Sequence, residues 1–313
     1  MVTVDIALTE FLMACRADGL KPITIRWYSA MLTPVTAALA GLPVGQVTTN
    51  HLRAYVVKLR ERHAYQDAPQ RAEQSTGLSA ASLQSHHRAL SRFFGWCRDE
   101  YALASNPMDR IRMPKTPRKE PKAVSLADLK RLLDATGDDR AGSRDRAILL
   151  FLADTGCRVG GLLGLKPADV DLDRGRAVVY EKGDRTRVVP FTRFTGQMLR
   201  AWLAVRPLQA TTLFCGLSDQ KRATPLTYAG VYQILLRLKR KAGVQGRVNP
   251  HSFRHGFARE YLINGGDLAT LAQLMGHTNI TVTASYYAIF TMRELEERHH
   301  QFSPIAKWEA GGG

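Results

Sequence analysis

The sequence predicts a mainly α-helical protein with a small antiparallel β-sheet, an α+β fold, divided into two domains. Three observations support this fold class. Apolar residues recur at helical spacing along most of the chain. Two short β-branched runs flank a turn in the second half. A proline-rich stretch interrupts the helical pattern near residue 106, and a length of 313 residues suits two domains better than one core.

The first domain, residues 1–105, is predicted to be helical. Helices are expected over 4–16, from 23 into the thirties, over 49–62 and over 80–101, because each segment places its apolar residues on one face. The polar stretch 64–79 contains Pro69 and Gly77 and is predicted to be a surface loop.

Residues 106–122 are predicted to form an extended basic linker. Prolines stand at 107, 114, 117 and 121, and they remove helix donors and stiffen the chain. Lysines and arginines fill much of the rest, so the linker is expected to follow a phosphate backbone. A solvated tether is the alternative.

The second domain, residues 123–300, is predicted to begin with the capping sequence Ser125-Leu-Ala-Asp128. A helix over 143–155 should end at Gly156. Strands are expected at 176–180 and 186–190 around the turn Lys182-Gly183-Asp184. Further helices are predicted over 192–205, 227–242, 251–264, 267–275 and 281–298, followed by a tail, 301–313.

The charge balance favours a polyanionic partner. The net charge is +16 with a pI near 10.0, and the basic excess is present in both domains. Basic groups set against phosphates release condensed counterions, so two basic domains joined by a basic linker suit a clamp around double-stranded DNA. An anionic membrane is the competing partner, but the longest apolar run, 147–153, is too short to span a bilayer.

The four cysteines, Cys15, Cys97, Cys157 and Cys215, are scattered, without the spacing of a zinc site or a disulfide framework. They are predicted to be small buried apolar residues in a protein of the reducing cytoplasm. No metal site and no cofactor are predicted. A DNA partner would associate the protein with the nucleoid.

Five local signals concern chemistry. They are Thr155-Gly-Cys-Arg158, Glu181-Lys182-Gly183, His251-Ser-Phe-Arg254, Gly276-His277, and Tyr286 nine residues after that histidine. Each alone has an ordinary structural explanation, such as a solvated arginine or a core tyrosine. As an ordered set they indicate a common site.

With these motifs the chain resembles the tyrosine recombinase (phage integrase) family, as an Xer-like or simple integrase. The matching segments include TGCRVGGLLGLKPADVDL, EKGDRTRVVP, NPHSFRHGFA, LMGHTNITVTASYY and NPMDRIRMP. The resemblance covers about residues 5–300. It implies a helical core-binding (SAM-like) domain followed by a catalytic domain. Because the first helix is predicted to begin by about residue 4, a simple enzyme acting at core sites is expected.

The resemblance implies a catalytic set for DNA strand transesterification: Arg158, Lys182, His251, Arg254, His277 and Tyr286. The tyrosine would attack phosphorus and form a 3′-phosphotyrosyl link. Two arginines match a phosphate with planar forks of donors. Lys182 would protonate the leaving oxygen, His251 would accept or relay the tyrosine proton, and His277 would hydrogen-bond the phosphate.

The segments KPITIRWYSAMLTPV and SLQSHHRALSRFFGWC resemble the family's DNA-clamping domain. With the linker and one basic run, they give a set of expected DNA contacts: Thr24, Arg26, His87, Arg88, Arg92, Arg112, Lys115, Arg118, Lys119, Lys239, Arg240 and Lys241. His255 is given a structural role.

Two positions need comment. Tyr287 is the alternative nucleophile, but the spacing from His277 favours Tyr286. On a helix the neighbouring Tyr287 would point about 100° away.

After Arg158 the family usually has a small residue and then an acidic one that helps to hold the arginine, whereas this chain has Val159-Gly160-Gly161.

Three functions fit these features: an active recombinase for integration, excision or resolution; a non-catalytic DNA-binding protein of the same fold; and a type IB topoisomerase-like enzyme. The intact catalytic set and the two-domain layout favour the first. A homotetramer on two DNA sites is expected, with a monomer or dimer off DNA, because in this family the C-terminal helix often packs into a neighbouring protomer.

Overall fold

The computed structural model describes residues 1–61, 78–115, 122–181, 185–217, 223–277, 281, 283–284 and 292–302. The chain separates into two compact units, Met1–Arg118 and Lys119–Gly313. The predicted loop at 64–79 lies almost wholly outside the described residues. No helix in the described part of the chain is long and apolar enough to cross a membrane.

The described part of the first unit is helical. It contains α1 (Val4–Ala17), α2 (Pro22–Ala38), a 3-10 turn (Val44–Gln46), α3 (Thr49–Glu61) and α4 (Ala80–Glu100). Pro22 suits the start of α2 because a first-turn residue needs no backbone donor. Ser79 begins α4 by accepting the Ser82 N–H at 3.1 Å. The core centres on Phe11, whose ring meets Phe93 edge to face at 5.5 Å.

The segment after α4 differs from the predicted linker. Asn106 and Met108 are buried, and Met108 belongs to the core of the first unit. The Asn106 side chain donates to the Ser91 carbonyl at 3.0 Å and accepts the Met108 N–H at 2.9 Å. The Asn106 side chain thus supplies hydrogen bonds to a proline-rich backbone that lacks the regular bonds of a helix or strand. Composition alone does not reveal such bonds. This part of residues 106–122 therefore packs on the first unit, and residues 116–121 lie outside the described range.

The second unit begins with α5 (Leu126–Asp134), α6 (Arg140–Thr155) and the short α7 (Val159–Gly164). The Asp128 N–H donates to Ser125 Oγ at 3.1 Å, which confirms the predicted start of α5. α6 begins earlier than predicted because Asp139 accepts the Gly142 N–H at 2.7 Å. It ends at Gly156, whose φ of 55° is the left-handed conformation that glycine adopts readily.

A small antiparallel sheet follows, with β2 in the middle: β1 (Val170–Asp171), β2 (Arg176–Glu181) and β3 (Arg185–Pro190). The predicted pair of strands is confirmed, with Val179 opposite Arg187 in the register. The two-residue β1 is too short to give a periodic signal, and the sequence did not predict it.

Five described helices complete the unit: α8 (Arg193–Val205), α9 (Tyr228–Lys241), α10 (Pro250–Ile263), α11 (Leu268–Met275) and α12 (Met292–Phe302). The main core includes Phe151, Trp202, Phe214 and Phe253. A smaller cluster of Ala258, Leu262, Leu271 and Met275 joins α10 to α11. All four cysteines are buried and unpaired, as expected.

Candidate active site

Arg254 lies between the carboxyl ends of two helices. Its Nη1 donates to the Gly156 carbonyl at 2.7 Å at the end of α6, and its Nη2 donates to the Met275 carbonyl at 2.6 Å at the end of α11. Helix carboxyl ends expose unpaired carbonyls with partial negative charge, so they favour a buried cation. The Arg254 residue is only 5% exposed. The two helix ends thus fix Arg254 in position.

Glycines make both of these helix ends possible. Gly156 and Gly276 have φ values of 55° and 64°, where other residues are strained. A Cβ on Gly156 would stand 2.3 Å from Cδ1 of Phe257, so the space is closed as well. The Thr-Gly-Cys-Arg and Gly-His motifs are therefore turns that direct backbone carbonyls at Arg254.

His277 is hydrogen bonded on both ring nitrogens. Nη2 of Arg254 lies 2.9 Å from Nε2, and Thr283 Oγ1 lies 2.7 Å from Nδ1. A guanidinium can only donate, so Nε2 is an acceptor and the neutral ring carries its proton on Nδ1. Burial, followed by the charges of Arg254, Arg158 and Arg187, lowers the pKa of His277 to about 4. Donation from Nε2 to a phosphate, the predicted role, therefore requires a change of tautomer or a second proton.

Arg158 precedes α7 as its N-cap residue, two positions after the glycine that binds Arg254. Its side chain is 39% exposed, and Nη1 forms an ion pair with Oε2 of Glu181. Oε1 of the same carboxylate accepts a hydrogen bond from Nη2 of Arg187 at 2.8 Å. The Glu181 side chain is 7% exposed and that of Arg187 is 13% exposed. The turn that carries His277 lies against this group, because a Cβ on Gly276 would stand 3.1 Å from Nε of Arg187 and 3.3 Å from Oε2 of Glu181. Arg158, Arg187 and Glu181 therefore lie close to Arg254 and His277 in one site.

Arg187 is a site residue that sequence reasoning missed. Its Nε and Nη1 are buried and have no hydrogen-bond partner among the described residues. Buried donors are nearly always satisfied, so these two donors distinguish Arg187 from an ordinary surface arginine. An arginine three residues before the end of β3 gives no sequence signal of this kind.

The other predicted catalytic residues stand as follows. His251 is exposed in the first turn of α10, one helical turn before Arg254 on the same face. Asn249 begins that helix by accepting the Ser252 N–H at 2.9 Å. His255 is half-buried, and burial lowers its pKa, which suits its structural role. Lys182, Tyr286 and Tyr287 lie outside the described residues.

The predicted DNA contacts differ in exposure. Exposed side chains belong to Arg26, Arg88, Arg92, Arg112, Lys115, Arg240 and Lys241, and half-buried ones to Thr24, His87 and Lys239. His87 Nε2 lies 2.7 Å from the Ile111 carbonyl oxygen, so this ring holds the segment after α4. Arg118 and Lys119 lie outside the described residues. The exposed members remain predictions.

Comparisons with known proteins identify a family and a fold that this chain resembles. The model of the phage integrase family matches residues 122–293. A tyrosine recombinase XerC of Proteus mirabilis is 29% identical and covers 98% of this chain and 96% of its own. A tyrosine recombinase XerA of Thermococcus kodakarensis is 35% identical over 74% of this chain and 78% of its own. The solved Tn1549 transposon integrase in complex with a circular intermediate DNA is 19% identical, covers 97% of this chain and 100% of its own, and has a TM-score of 0.76, which shows the same fold.

Proposed function

The chain belongs to the phage integrase family, and on that premise we propose that it is a site-specific recombinase that cuts and rejoins double-stranded DNA through Tyr286. The observation that carries the proposal is the meeting of Arg158, Arg254 and His277 in one basic site. Three motifs far apart in sequence supply these residues, and each has the residue type that phosphoryl transfer requires.

The two arginines are proposed to bind the scissile phosphate. A guanidinium offers several donors in a plane and stays charged at any relevant pH, so it neutralises the charge on non-bridging oxygens. Arg254 is preorganised by its two carbonyl partners. Loss of one preorganised donor of this kind typically lowers a rate by about 10²–10³-fold.

The proposed reaction conserves the phosphodiester bond energy. The Tyr286 oxygen forms a bond to phosphorus, the bond from phosphorus to the 5′ oxygen breaks, and the protein is left joined to the 3′ phosphate. The phenolic proton passes to His251, and Lys182 supplies a proton to the leaving 5′ oxygen. Attack by the 5′ hydroxyl of another strand reverses these steps and rejoins the DNA. No nucleotide cofactor is needed.

We further propose that recombination takes place in a homotetramer on two DNA sites. Exchange between two duplexes requires four strand cleavages, and a chain with one nucleophile must supply them as four protomers. A DNA substrate also implies that the enzyme acts in the compartment that holds the DNA, the predicted cytoplasm.

The first test needs a duplex selected by the protein from a randomised library. A nicked suicide version of that duplex traps the covalent complex, and the reaction is run in EDTA because the arginines supply the charge that a metal ion would. We expect Tyr286→Phe to give no adduct while its Kd for the duplex stays within about twofold of wild type, since the phenol oxygen is the nucleophile.

Tyr287→Phe is the matched control, and it should still form the adduct. An adduct that persists in Tyr286→Phe and disappears in Tyr287→Phe would reverse the assignment. A wild-type protein that binds without forming any adduct would be a non-catalytic DNA-binding protein. Relaxation of a supercoiled plasmid without recombination between two sites would instead indicate a topoisomerase-like enzyme.

A further inference from the structure

The segment that follows Arg158 carries no carboxylate. Val159, Gly160 and Gly161 make up the first half of α7, and none of them has a side chain that accepts a hydrogen bond from the guanidinium. Arg158 is nevertheless paired, because Glu181 from β2 reaches its Nη1. The acidic partner comes from the neighbouring strand.

The strand directs Glu181 into the site. Side chains alternate along β2, and Ala177 and Val179 are buried on its inner face. Glu181 is the next residue on that face. Arg187 stands opposite Val179 in β3, diagonal to Glu181, which is the geometry in which long cross-strand side chains meet.

The glycines of α7 allow the helix to approach that strand. A Cβ on Gly161 would stand 3.1 Å from the Cβ of Val179, closer than side chains normally pack. A second close approach lies on the other side, where a Cβ on Gly276 would stand 3.3 Å from Oε2 of Glu181. The carboxylate is therefore enclosed between α7, β3 and the turn that carries His277.

We propose that Glu181 is the positioning residue for Arg158, and that Arg187 in turn fixes Glu181. The inference rests on the proposed function, in which Arg158 binds the scissile phosphate. Among the described residues Glu181 engages only Nη1 of Arg158, so Nε and Nη2 are left for phosphate oxygens. Arg187 balances the carboxylate, so the three groups together keep one positive charge and still attract the phosphate.

The test combines Glu181→Gln with Arg158→Ala in single-turnover cleavage of the selected suicide duplex. Glu181→Gln keeps the size of the side chain and removes its charge. We expect a rate about 10- to 100-fold below wild type, a smaller loss than that from removing a phosphate donor itself. The Kd should stay within about twofold. Asp138→Asn, which removes one exposed carboxylate at the start of α6, is the control and should cleave at the wild-type rate.

A positioning role predicts that the two effects do not add. In the Arg158→Ala background, Glu181→Gln should lower the rate no further, because its effect passes through the absent arginine. Multiplication of the two losses would overturn the inference. Glu181→Asp, which keeps the charge on a shorter stem, should fall between wild type and Glu181→Gln.

Two further measurements distinguish the positioning role of Glu181 from a folding defect and from a failure of the proposed function. Glu181→Gln leaves the buried Arg187 without its carboxylate, so Glu181→Gln with Arg187→Gln tests a neutral pair and should cleave as slowly as Glu181→Gln alone. Relaxation of the Arg158 Nε–H group by NMR needs no DNA. Its order parameter should fall in Glu181→Gln to below about 0.6, the range of flexible groups. An unchanged order parameter would refute the positioning role even if the protein cleaved no DNA.

Discussion

His277 shows how a single residue is tuned by its surroundings. Arg254 donates to Nε2 and Thr283 Oγ1 lies against Nδ1, while three arginine charges surround a ring that is half-buried. Every one of these charges disfavours a further proton. The ring should therefore stay neutral over the whole range in which an ordinary histidine titrates.

We predict that the imidazole resonances of His277 in the free protein titrate with a midpoint near pH 4, identified by their absence in His277→Gln. Between pH 6.5 and 4 the unfolded chain binds this proton and the folded chain does not, so this residue lowers the free energy of unfolding as the pH falls through that window. Arg158→Gln should raise the pKa, because it removes one of the repelling charges. A midpoint near 6.5 would contradict the buried, arginine-lined environment.

For individual residues, the sequence predicted the types of side chain in the site better than the groups that those side chains contact. Arg158, Arg254 and His277 follow from ordered motifs, because phosphoryl transfer requires those side chains. Glu181 lies inside one of the motifs, yet its role depends on which face of β2 is buried and how closely α7 approaches it. Both are properties of tertiary packing, and a single sequence does not contain them.

The helix α9 illustrates the difference between a basic run and a free basic surface. Lys239, Arg240 and Lys241 form its last turn, where cations favour the helix dipole. Arg237, on the same helix, instead pairs with Asp145, which is 1% exposed and also binds Arg144. Arg237 is two residues before the basic run in the sequence, but its ion pair with a buried carboxylate separates it from the other three cations.

We predict that changing Lys239, Arg240 and Lys241 together to alanine flattens the dependence of log Kd on log salt concentration. Each lost phosphate contact reduces the slope by about 0.9, so the change reaches about 2.7 if all three touch phosphates. Fluorescence anisotropy with the selected duplex measures it.

Arg237→Ala is the matched control for that substitution. Its charge is already paired, so its slope should match wild type, while its unfolding midpoint should fall because Asp145 loses a partner. Equal slopes for the triple variant and wild type would show that the run is a solvated end of α9 and not a DNA contact.

Elements were predicted well where local chemistry decides them. Ser125 and the glycines at 156 and 276 mark helix ends through capping, which acts within a few residues. The segment from Asn106 was predicted as an extended linker, but it is partly buried, and the Asn106 side chain donates to the Ser91 carbonyl and accepts the Met108 N–H. Such bonds provide hydrogen-bond partners for a proline-rich backbone that packs on a helix. The amino-acid composition does not indicate them.

At the scale of the whole molecule, the proposed assembly depends on the carboxyl end of the chain. α12 is tied to its own unit, because Arg259 donates to Oε1 of Glu294 at 2.6 Å. Met292 and Leu295 on the same helix are 71% and 45% exposed. The following residues include Ile305 and Trp308, which are apolar in a segment with few other apolar residues. Exposed apolar residues such as Met292 and Leu295 commonly mark a docking element.

We predict that deletion of residues 303–313, which leaves α12 complete, preserves the Kd for a single site and abolishes pairing of two sites. The reason is that the apolar tail contacts a neighbouring protomer in the proposed tetramer, whereas one protomer suffices to bind one site. Gel shift with paired sites and light scattering measure the assembly. Ile305→Ala with Trp308→Ala should reproduce the loss because it removes the apolar groups alone, and Lys307→Ala between them should not. Paired complexes formed at the wild-type level by the truncated protein would show that the tail folds on its own unit, and the contacts between protomers would then have to come from elsewhere.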